Sequence, residues 1–447
     1  MAGARPQNRR YNVNEAMDQI FADTCYIMKV WSQRLDRPLN IIKKRKSIIA
    51  LTLFVFCIIY MKIYYVFSKN QLQNFEFLES RKCPACYGTS LCGSFQRGEL
   101  DLESFYKFRL LDVVNVKNVF FGRHQEKSVV FKKLGHNTEL KKLDEKICKK
   151  ANLEPSCDLS RVIFQTDLTN AIKDGKIHVD AVKGLSDIVR CPSQRLLDRI
   201  WSRYQERSWI GGVKHHQQLN LITTLLFNPE PLILQTFPKT EGWPFPEYEG
   251  ACGRFIVEEN IGPSLGTFFH HPWEERVKLA YQLTELCERL TNNNDDYALY
   301  LTDVTYDNFA VAADGSVYVI DAENIVVVDK KKIRNDKPAD WDVALEAIND
   351  DCKGVNSDCL MFSPDLLCSR LQADHNYFAL CHAILGPEAT HSLMYGGLLH
   401  DIPGTVLEKQ QLLHLLAECQ QPKERYGRFK AFPALMALLK KLAEESR

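Results

Sequence analysis

Residues 300–324 read YLTDVTYDNFAVAADGSVYVIDAEN. In this stretch Asp303 and Asn308 form the pattern D-x-x-x-x-N, and an Asp-Gly turn then leads into a short apolar strand that ends at Asp321. The pattern predicts a loop, a hairpin and a second loop that bring two carboxylates and one carboxamide together. An Asx-rich hairpin without a functional site has the same local pattern, so the rest of the chain has to decide between these interpretations.

Phosphoryl transfer from a nucleotide needs this set of groups. One carboxylate orients the acceptor hydroxyl and takes its proton, while an amide oxygen and a second carboxylate hold a divalent cation on the phosphates. We therefore predict that Asp303 is the catalytic base and that Asn308 and Asp321 are ligands of Mg²⁺ or Mn²⁺. The order and interval are similar to those of the catalytic and metal loops of protein kinases, which use ATP.

Two positions depart from the kinase pattern. Leu301-Thr302 stands where kinases carry His-Arg, and Ala322-Glu323 stands where they carry Phe-Gly. The groups with a direct chemical role are retained, but the changed neighbours leave open a kinase-like protein without activity.

A candidate for the phosphate-binding lysine lies earlier in the chain. Residues 129–132, Val-Val-Phe-Lys, resemble the third strand of a kinase, Val-Ala-Ile-Lys, whose lysine reaches the phosphates. Alternate side chains of a strand share a face, so Val130 and Lys132 point the same way. The preceding hairpin carries only Gly122 and no G-x-G-x-x-G pattern. A solvent-facing lysine on an ordinary strand is the alternative for Lys132.

In a kinase this lysine pairs with a glutamate on a helix. Residues 138–150 are helical by period and offer Glu139 or Glu145, whereas the helix predicted over residues 217–227 carries no glutamate and is followed by a predicted strand over residues 231–236. We choose Glu139 as the partner of Lys132.

The junction of the two lobes and the base of the catalytic loop are predicted from the kinase order. The strand at residues 254–257 stops at Glu258 and Asn260, where a kinase binds adenine through its backbone. The clearest helix, residues 273–290, precedes the Asp303 loop, and Asp374 opens a later apolar helix. We predict that Glu258 and Asn260 bind the nucleotide and that Asp374 holds the catalytic-loop backbone.

An apolar segment near the N-terminus is predicted to cross a membrane. Residues 47–67 supply about 21 mostly apolar positions, close to the ~20 that a membrane-spanning helix needs. Lys43, Lys44, Arg45 and Lys46 precede it and favour a cytosolic N-terminus. We predict a type II single-pass signal anchor with a lumenal C-terminus; a cleaved signal peptide is the alternative.

Composition and cysteine content indicate a globular protein of an oxidising compartment. The 447 residues are 45% hydrophobic and 25% charged, and the net charge of +1 argues against nucleic-acid binding. Of the 15 cysteines, 13 follow the predicted anchor, as expected for an oxidising compartment. Because 13 is odd, at least one lumenal thiol is free or paired between chains. Cys83-x-x-Cys86 is half of a zinc pattern without its second half, which favours a disulfide. The disulfide candidates are Cys83, Cys86, Cys92, Cys148, Cys157, Cys191, Cys252, Cys352, Cys359 and Cys368.

The chain resembles the divergent protein kinase domain family 2. The motifs that carry the resemblance are CPACYGTS from Cys83, LLDVVNVKNVFF from Leu110, CPSQRLLDRI from Cys191, NPEPLIL from Asn228, EGWPF from Glu241, LTDVTYDNFAV from Leu301, VIDAEN from Val319, DHNYFALC from Asp374, GGLLHD from Gly396 and KERYGRF from Lys423. The resemblance implies an α+β, bilobal protein-kinase-like fold and a place in the Golgi or among secreted proteins.

The resulting organisation has five parts. They are a cytosolic basic tail (1–46), a transmembrane signal anchor (47–67), a lumenal cysteine-containing stem (68–109), a β-rich N-lobe with a cysteine-containing insert (110–260) and a mainly helical C-lobe (261–447). Three functions fit these residues: transfer of the ATP γ-phosphate to a lumenal or secreted protein, a catalytically weak or dead kinase that binds a receptor or other partner, and phosphorylation of a sugar or small molecule.

Overall fold

The computed structural model describes residues 52–60, 71–103, 118–173, 176–183, 185–205, 215–347, 364–387, 389 and 394–445. Two compact units are distinguished, Met1–Gln71 with Leu102–Val114 and Leu72–Asp101 with Asn115–Arg447. In the first unit the structure describes chiefly a helical segment over residues 52–60. The second unit contains a β-rich lobe and a helical lobe.

The transmembrane helix predicted over residues 47–67 is contradicted. Within the described part of the chain, no helix combines the length and the apolar character that crossing a membrane requires. Residues 52–60 of the predicted anchor are helical. The other residues of the predicted anchor lie outside the described residues.

The described strands are short, and most of their residues are buried. In chain order they are β1 (Leu100–Leu102), β2 (Val119–His124), β3 (Lys127–Lys132), β4 (Ile172–Lys173), β5 (Lys176–Ile177), β6 (Tyr248–Cys252), β7 (Phe255–Glu259), β8 (Tyr297–Leu301), β9 (Phe309–Val311), β10 (Val317–Val319) and β11 (Ile325–Asp329).

The N-lobe is built on one sheet with the order β1-β2-β3-β7-β6. Strands β2, β3, β7 and β6 pair antiparallel, and Val130 lies opposite Glu258 in the pairing of β3 with β7. The apolar residues of β3 are buried, as expected for a strand covered on both faces. Strand β1 belongs to this sheet although its residues were assigned to the stem.

The α-helices occur in both lobes and form most of the C-lobe. They are α1 (Cys92–Arg97), α2 (Asn137–Lys150), α3 (Leu159–Val162), α4 (Val179–Val182), α5 (Gln194–Gln205), α6 (His215–Phe227), α7 (Glu230–Thr236), α8 (Trp273–Thr291), α9 (Lys330–Asp336), α10 (Pro364–Ser369), α11 (His375–Leu380), α12 (Lys409–Gln420) and α13 (Gly427–Glu445).

One predicted strand is a helix. Residues 231–236 were expected to form a strand, but they belong to α7, which begins at Glu230. Every residue of α7 is buried, so the sequence shows no polar face at helical period, and a short apolar run of this kind cannot be told from a buried strand. Pro231 lies in the first turn, where a missing N–H leaves no intrahelical bond unmade.

The C-lobe is organised around α8, the clearest predicted helix. Its apolar stripe is buried and comprises Val277, Ala280, Leu283, Cys287 and Leu290. The helix packs on α11 and α13 and leads into β8, which pairs antiparallel with β11. Strands β9 and β10 form the predicted hairpin between the two acidic loops.

Disulfides join distant parts of the chain. The predicted cysteines pair as Cys83–Cys86, Cys92–Cys252, Cys148–Cys157 and Cys191–Cys368. A further bond, Cys381–Cys419, was not predicted because both residues lie in apolar helices, where a cysteine resembles a small core residue. Cys352 and Cys359 lie outside the described residues. Among the described cysteines, Cys287 is unpaired and buried, and Cys57 is unpaired and exposed.

Candidate functional site

Lys132, the last residue of β3, lies in a buried cluster of acidic groups. Its Nζ is 2.6 Å from Glu230 Oε1 and 2.9 Å from Glu258 Oε1. The same Nζ donates to the backbone carbonyl of Ile320. An ammonium group has three N–H donors, and these contacts match that number. Lys132 is therefore held inside the protein, not exposed as the alternative interpretation required.

The acidic partner of Lys132 differs from the one chosen from the sequence. Glu139 caps its own helix, α2, where its Oε2 accepts from the backbone N of His136 at 2.7 Å. Glu145 makes an exposed ion pair with Lys141. The ion pairs of Lys132 are instead with Glu230 and Glu258. Glu230 was missed because its helix was taken for a strand, although a glutamate in the first turn after Asn-Pro is a typical helix start.

The side chains of Glu258 and Asn260, the residues predicted to bind the nucleotide, both make contacts within the N-lobe. The carboxylate of Glu258 turns inward to Lys132. The backbone N of Asn260 donates to Ser128 O at 3.2 Å, and its Nδ2 donates to Ser128 Oγ at 3.0 Å. Both donor groups of Asn260 therefore hold the end of β7 against β3.

Charge in the lysine cluster is unbalanced. Burial alone would lower the pKa of Lys132, but the carboxylates of Glu230, Glu258 and Asp321 outweigh it and raise that pKa. Burial raises the pKa of Glu230 well above its usual value and also raises the pKa of Glu258, although Lys132 opposes both shifts. One ammonium thus faces two buried carboxyl groups and balances the charge of only one. Glu258 Oε2 is buried without a hydrogen-bond partner among the described residues.

The metal loop and the catalytic loop meet at this cluster through Ile320. Its carbonyl accepts from Lys132, and its N–H donates to the carbonyl of Asn308 at 2.9 Å. Asn308 is buried, and its Nδ2 donates to Asp303 O at 3.2 Å. This bond uses the donor end of the amide and leaves the acceptor end for a cation. The backbone therefore places Asp321, the next residue after Ile320, beside Lys132, Asn308 and Asp303.

The donor set fits a hard divalent cation bound together with phosphate. Mg²⁺ prefers oxygen ligands and is usually held by one or two carboxylates plus substrate phosphates. Asp321 and the amide oxygen of Asn308 supply such ligands. In the described residues no group of three or more His, Cys, Asp or Glu has a metal-binding arrangement.

The two residues after Asp374 bind the backbone of Leu301, just before the catalytic loop. His375 Nε2 lies 2.7 Å from Leu301 O, and Asn376 Oδ1 accepts from Leu301 N at 3.0 Å. Burial lowers the pKa of His375 to about 4, so the neutral ring donates to the carbonyl. The role predicted for Asp374 therefore belongs to its two neighbours, while Asp374 itself accepts from Ala347 N at 2.7 Å and pairs with Arg428.

A contact that the sequence did not reveal joins the metal loop to the start of α7. Asn228 Nδ2 donates to Glu323 Oε2. Burial and the charge of Asp321 raise the pKa of Glu323 to about 7, while the hydrogen bond from Asn228 opposes the shift. Glu323 stands where kinases have glycine. The residue that departs from the kinase pattern is therefore the one that Asn228 binds.

A small β-rich lobe, a helical lobe, a buried lysine–glutamate pair and a D-x-x-x-x-N loop followed by a metal loop define the protein-kinase class. The family model described as the protein-kinase domain of FAM69 matches residues 222–422. The chain is 48% identical to divergent protein kinase domain 2A of Xenopus tropicalis over 393 residues, covering 85% of this chain and 91% of that protein. The chain belongs to the divergent protein kinase domain family 2, as its motifs predicted.

Two further relatives show how far the similarity extends. The chain is 46% identical to divergent protein kinase domain 2A of Homo sapiens over 392 residues, covering 85% of this chain and 91% of that protein. It is 33% identical to divergent protein kinase domain 2B of Bos taurus over 268 residues, covering 57% of this chain and 62% of that protein.

Proposed function

We propose that this chain is a phosphotransferase of the secretory pathway that transfers the γ-phosphate of ATP to a hydroxyl group of a lumenal or secreted protein. The observation that carries the proposal is the bridge through Ile320, which binds Lys132 with its carbonyl and Asn308 with its N–H. A phosphate-binding lysine, its glutamate and the two acidic loops thereby share one buried site. Phosphoryl transfer requires this combination.

Each group has a defined task in the proposed reaction. Asp303 accepts the proton of the acceptor hydroxyl as its oxygen attacks the γ-phosphorus and the bond to ADP breaks. Asn308 and Asp321 would hold Mg²⁺ or Mn²⁺, which neutralises charge on the phosphates when bound. Lys132, oriented by Glu230, would contact the phosphates. For this contact Lys132 has to exchange one of its three present partners.

The disulfides support the secretory pathway as the location. Disulfides persist in oxidising compartments and are rare in the cytosol. The bonds Cys92–Cys252 and Cys191–Cys368 connect residues that are 160 and 177 positions apart, so a reduced chain would lose its longest covalent links. We place the protein in the Golgi or outside the cell, with a lumenal or secreted protein as substrate.

The Asp303→Asn variant tests the catalytic part of the proposal. Loss of a general base should lower turnover about 10²–10⁴-fold. Asn308 and Asp321 are untouched, so the stabilisation of the fold by ATP with Mn²⁺ should remain. The measurement is the rate of ADP release from ATP by the full-length oxidised protein, with thermal unfolding in parallel. Equal ADP release by the variant and the wild type would contradict the role of Asp303.

A pseudokinase that acts as a binding module is the second candidate. It is favoured by one observation: the three contacts of Lys132 match all its donors, so no N–H is left for a phosphate without rearrangement. In that case the wild type would release no ADP, and the Asp303→Asn variant would retain every cellular effect of the protein.

A further inference from the structure

Asn228 uses both ends of its side-chain amide at the junction between the metal loop and α7. Its Nδ2 donates to Glu323 Oε2, and its Oδ1 accepts from the backbone N of Glu230 at 3.0 Å. Asn228 is only 3% exposed, so water does not compete for these bonds. A side chain that merely capped α7 would use only the acceptor end.

These bonds close a ring of contacts around the proposed nucleotide site. Lys132 binds the carboxylate of Glu230, whose N–H is bound by Asn228, and Asn228 binds Glu323. From Glu323 the chain runs back through Asp321 to Ile320, whose carbonyl binds Lys132. Moving the metal loop therefore moves α7 as well, unless one of these bonds breaks.

We infer that Asn228 is a positioning residue that couples the metal loop to the helix carrying Glu230, so that the cation site and the lysine site form together. The inference rests on the proposed function, because it assigns both sites to one nucleotide. In this arrangement Glu323 accepts the hydrogen bond from Asn228. This role accounts for a carboxylate at the position where kinases have glycine. The residue acts through its neighbours and touches neither phosphate nor cation.

The chemistry of the bond permits a reciprocal exchange. In the Asn228→Asp variant the carboxylate at position 228 still accepts from Glu230 N but faces the carboxylate of Glu323. Adding Glu323→Gln restores a donor, because the new amide can donate to the new carboxylate. The double variant therefore has the same bond with donor and acceptor exchanged, and the same net charge as the wild type.

Two readouts on full-length oxidised protein test the coupling. The first is amide hydrogen exchange without ligand, in which Asn228→Asp should lower the protection of Glu230–Thr236 and of residues 320–325 together. The second is the dissociation constant for ATP with Mn²⁺. It should rise about tenfold or more in Asn228→Asp, as expected for a lost hydrogen bond to a charged group. The double variant should recover both readouts. Glu323→Ala removes only the hydrogen-bond acceptor and should show the same losses of protection and affinity as Asn228→Asp. It replaces Asn228→Asp in the test if that variant fails to fold.

The outcomes separate this inference from the proposed function. If wild-type protein binds no ATP, the proposed function fails, while hydrogen exchange still tests the coupling. If Asn228→Asp or Glu323→Ala leaves both segments protected as in the wild type, the coupling is wrong. It is also wrong if the double variant, folded to the same extent as the wild type, recovers neither protection nor affinity.

Discussion

The Lys132→Met variant should lose about 3–5 kcal/mol of unfolding free energy at neutral pH, the usual cost of removing one partner of a buried ion pair. Glu230 and Glu258 are 2% and 1% exposed, and without Lys132 both carboxyl groups remain in the interior near Asp321. Nothing in the cluster then offsets their charge. They have to be protonated or the site has to open.

This loss should depend on pH in a defined direction. Removing Lys132 raises the pKa of Glu230 and Glu258 further above the value of about 4.3 for an unfolded glutamate. A raised folded-state pKa gives stability that is present below the unfolded value and lost as pH rises through the folded one. The deficit of the variant should therefore be smaller at pH 5 than at pH 7.5, as measured by urea unfolding.

Lys127→Met is the matched control for this prediction. Lys127 begins the same strand, but its side chain is 64% exposed and pairs with Glu247 and Glu249 at the surface. Exposed ion pairs contribute about 0–1 kcal/mol, so this variant should unfold close to the wild type at both pH values. A Lys132→Met variant that behaves like Lys127→Met would show that the acidic cluster is not buried.

The Asp321→Asn variant should lose ligand binding without losing stability. A ligand at 100 times its dissociation constant adds about 2.7 kcal/mol, and this contribution of ATP with Mn²⁺ should disappear. Without ligand the variant should be at least as stable as the wild type. The charge of Asp321 raises the pKa values of Glu230, Glu258 and Glu323, so removing it relieves repulsion inside the cluster.

Asp314→Asn controls for a change in the same hairpin. Asp314 is exposed in the turn between β9 and β10, where its Oδ1 accepts from Ser316 N at 2.9 Å. The variant should keep the stabilisation by ATP with Mn²⁺. If Asp321→Asn also keeps that stabilisation, the proposed role of Asp321 as a metal ligand is wrong.

The sequence predicted the elements whose signals are local. The D-x-x-x-x-N loop, the hairpin after it and the stripe of α8 each lie within one short stretch, and periodicity or turn chemistry identifies such stretches directly. The same holds for Lys132 at the end of a Val- and Phe-rich strand. The family followed from many such motifs in one order.

The sequence could not reveal contacts between distant positions. Lys132 and Glu230 are 98 residues apart, and the helix that presents Glu230 is buried on all sides, so it shows no polar face at helical period. Glu258 was placed at the nucleotide hinge from the kinase order, which does not reveal that its side chain turns to Lys132. The Asn228–Glu323 bond likewise depends on where two loops meet, which no pattern within either loop encodes.

The most direct test of the proposed site is thermal unfolding of the full-length oxidised wild type with ATP alone, with Mg²⁺ or Mn²⁺ alone, and with ATP plus either cation. A site shared by Lys132, Asn308 and Asp321 predicts a large rise in melting temperature only when nucleotide and cation are present together. An unchanged melting temperature with ATP and either cation would contradict the site and leave the binding module as the function of this fold.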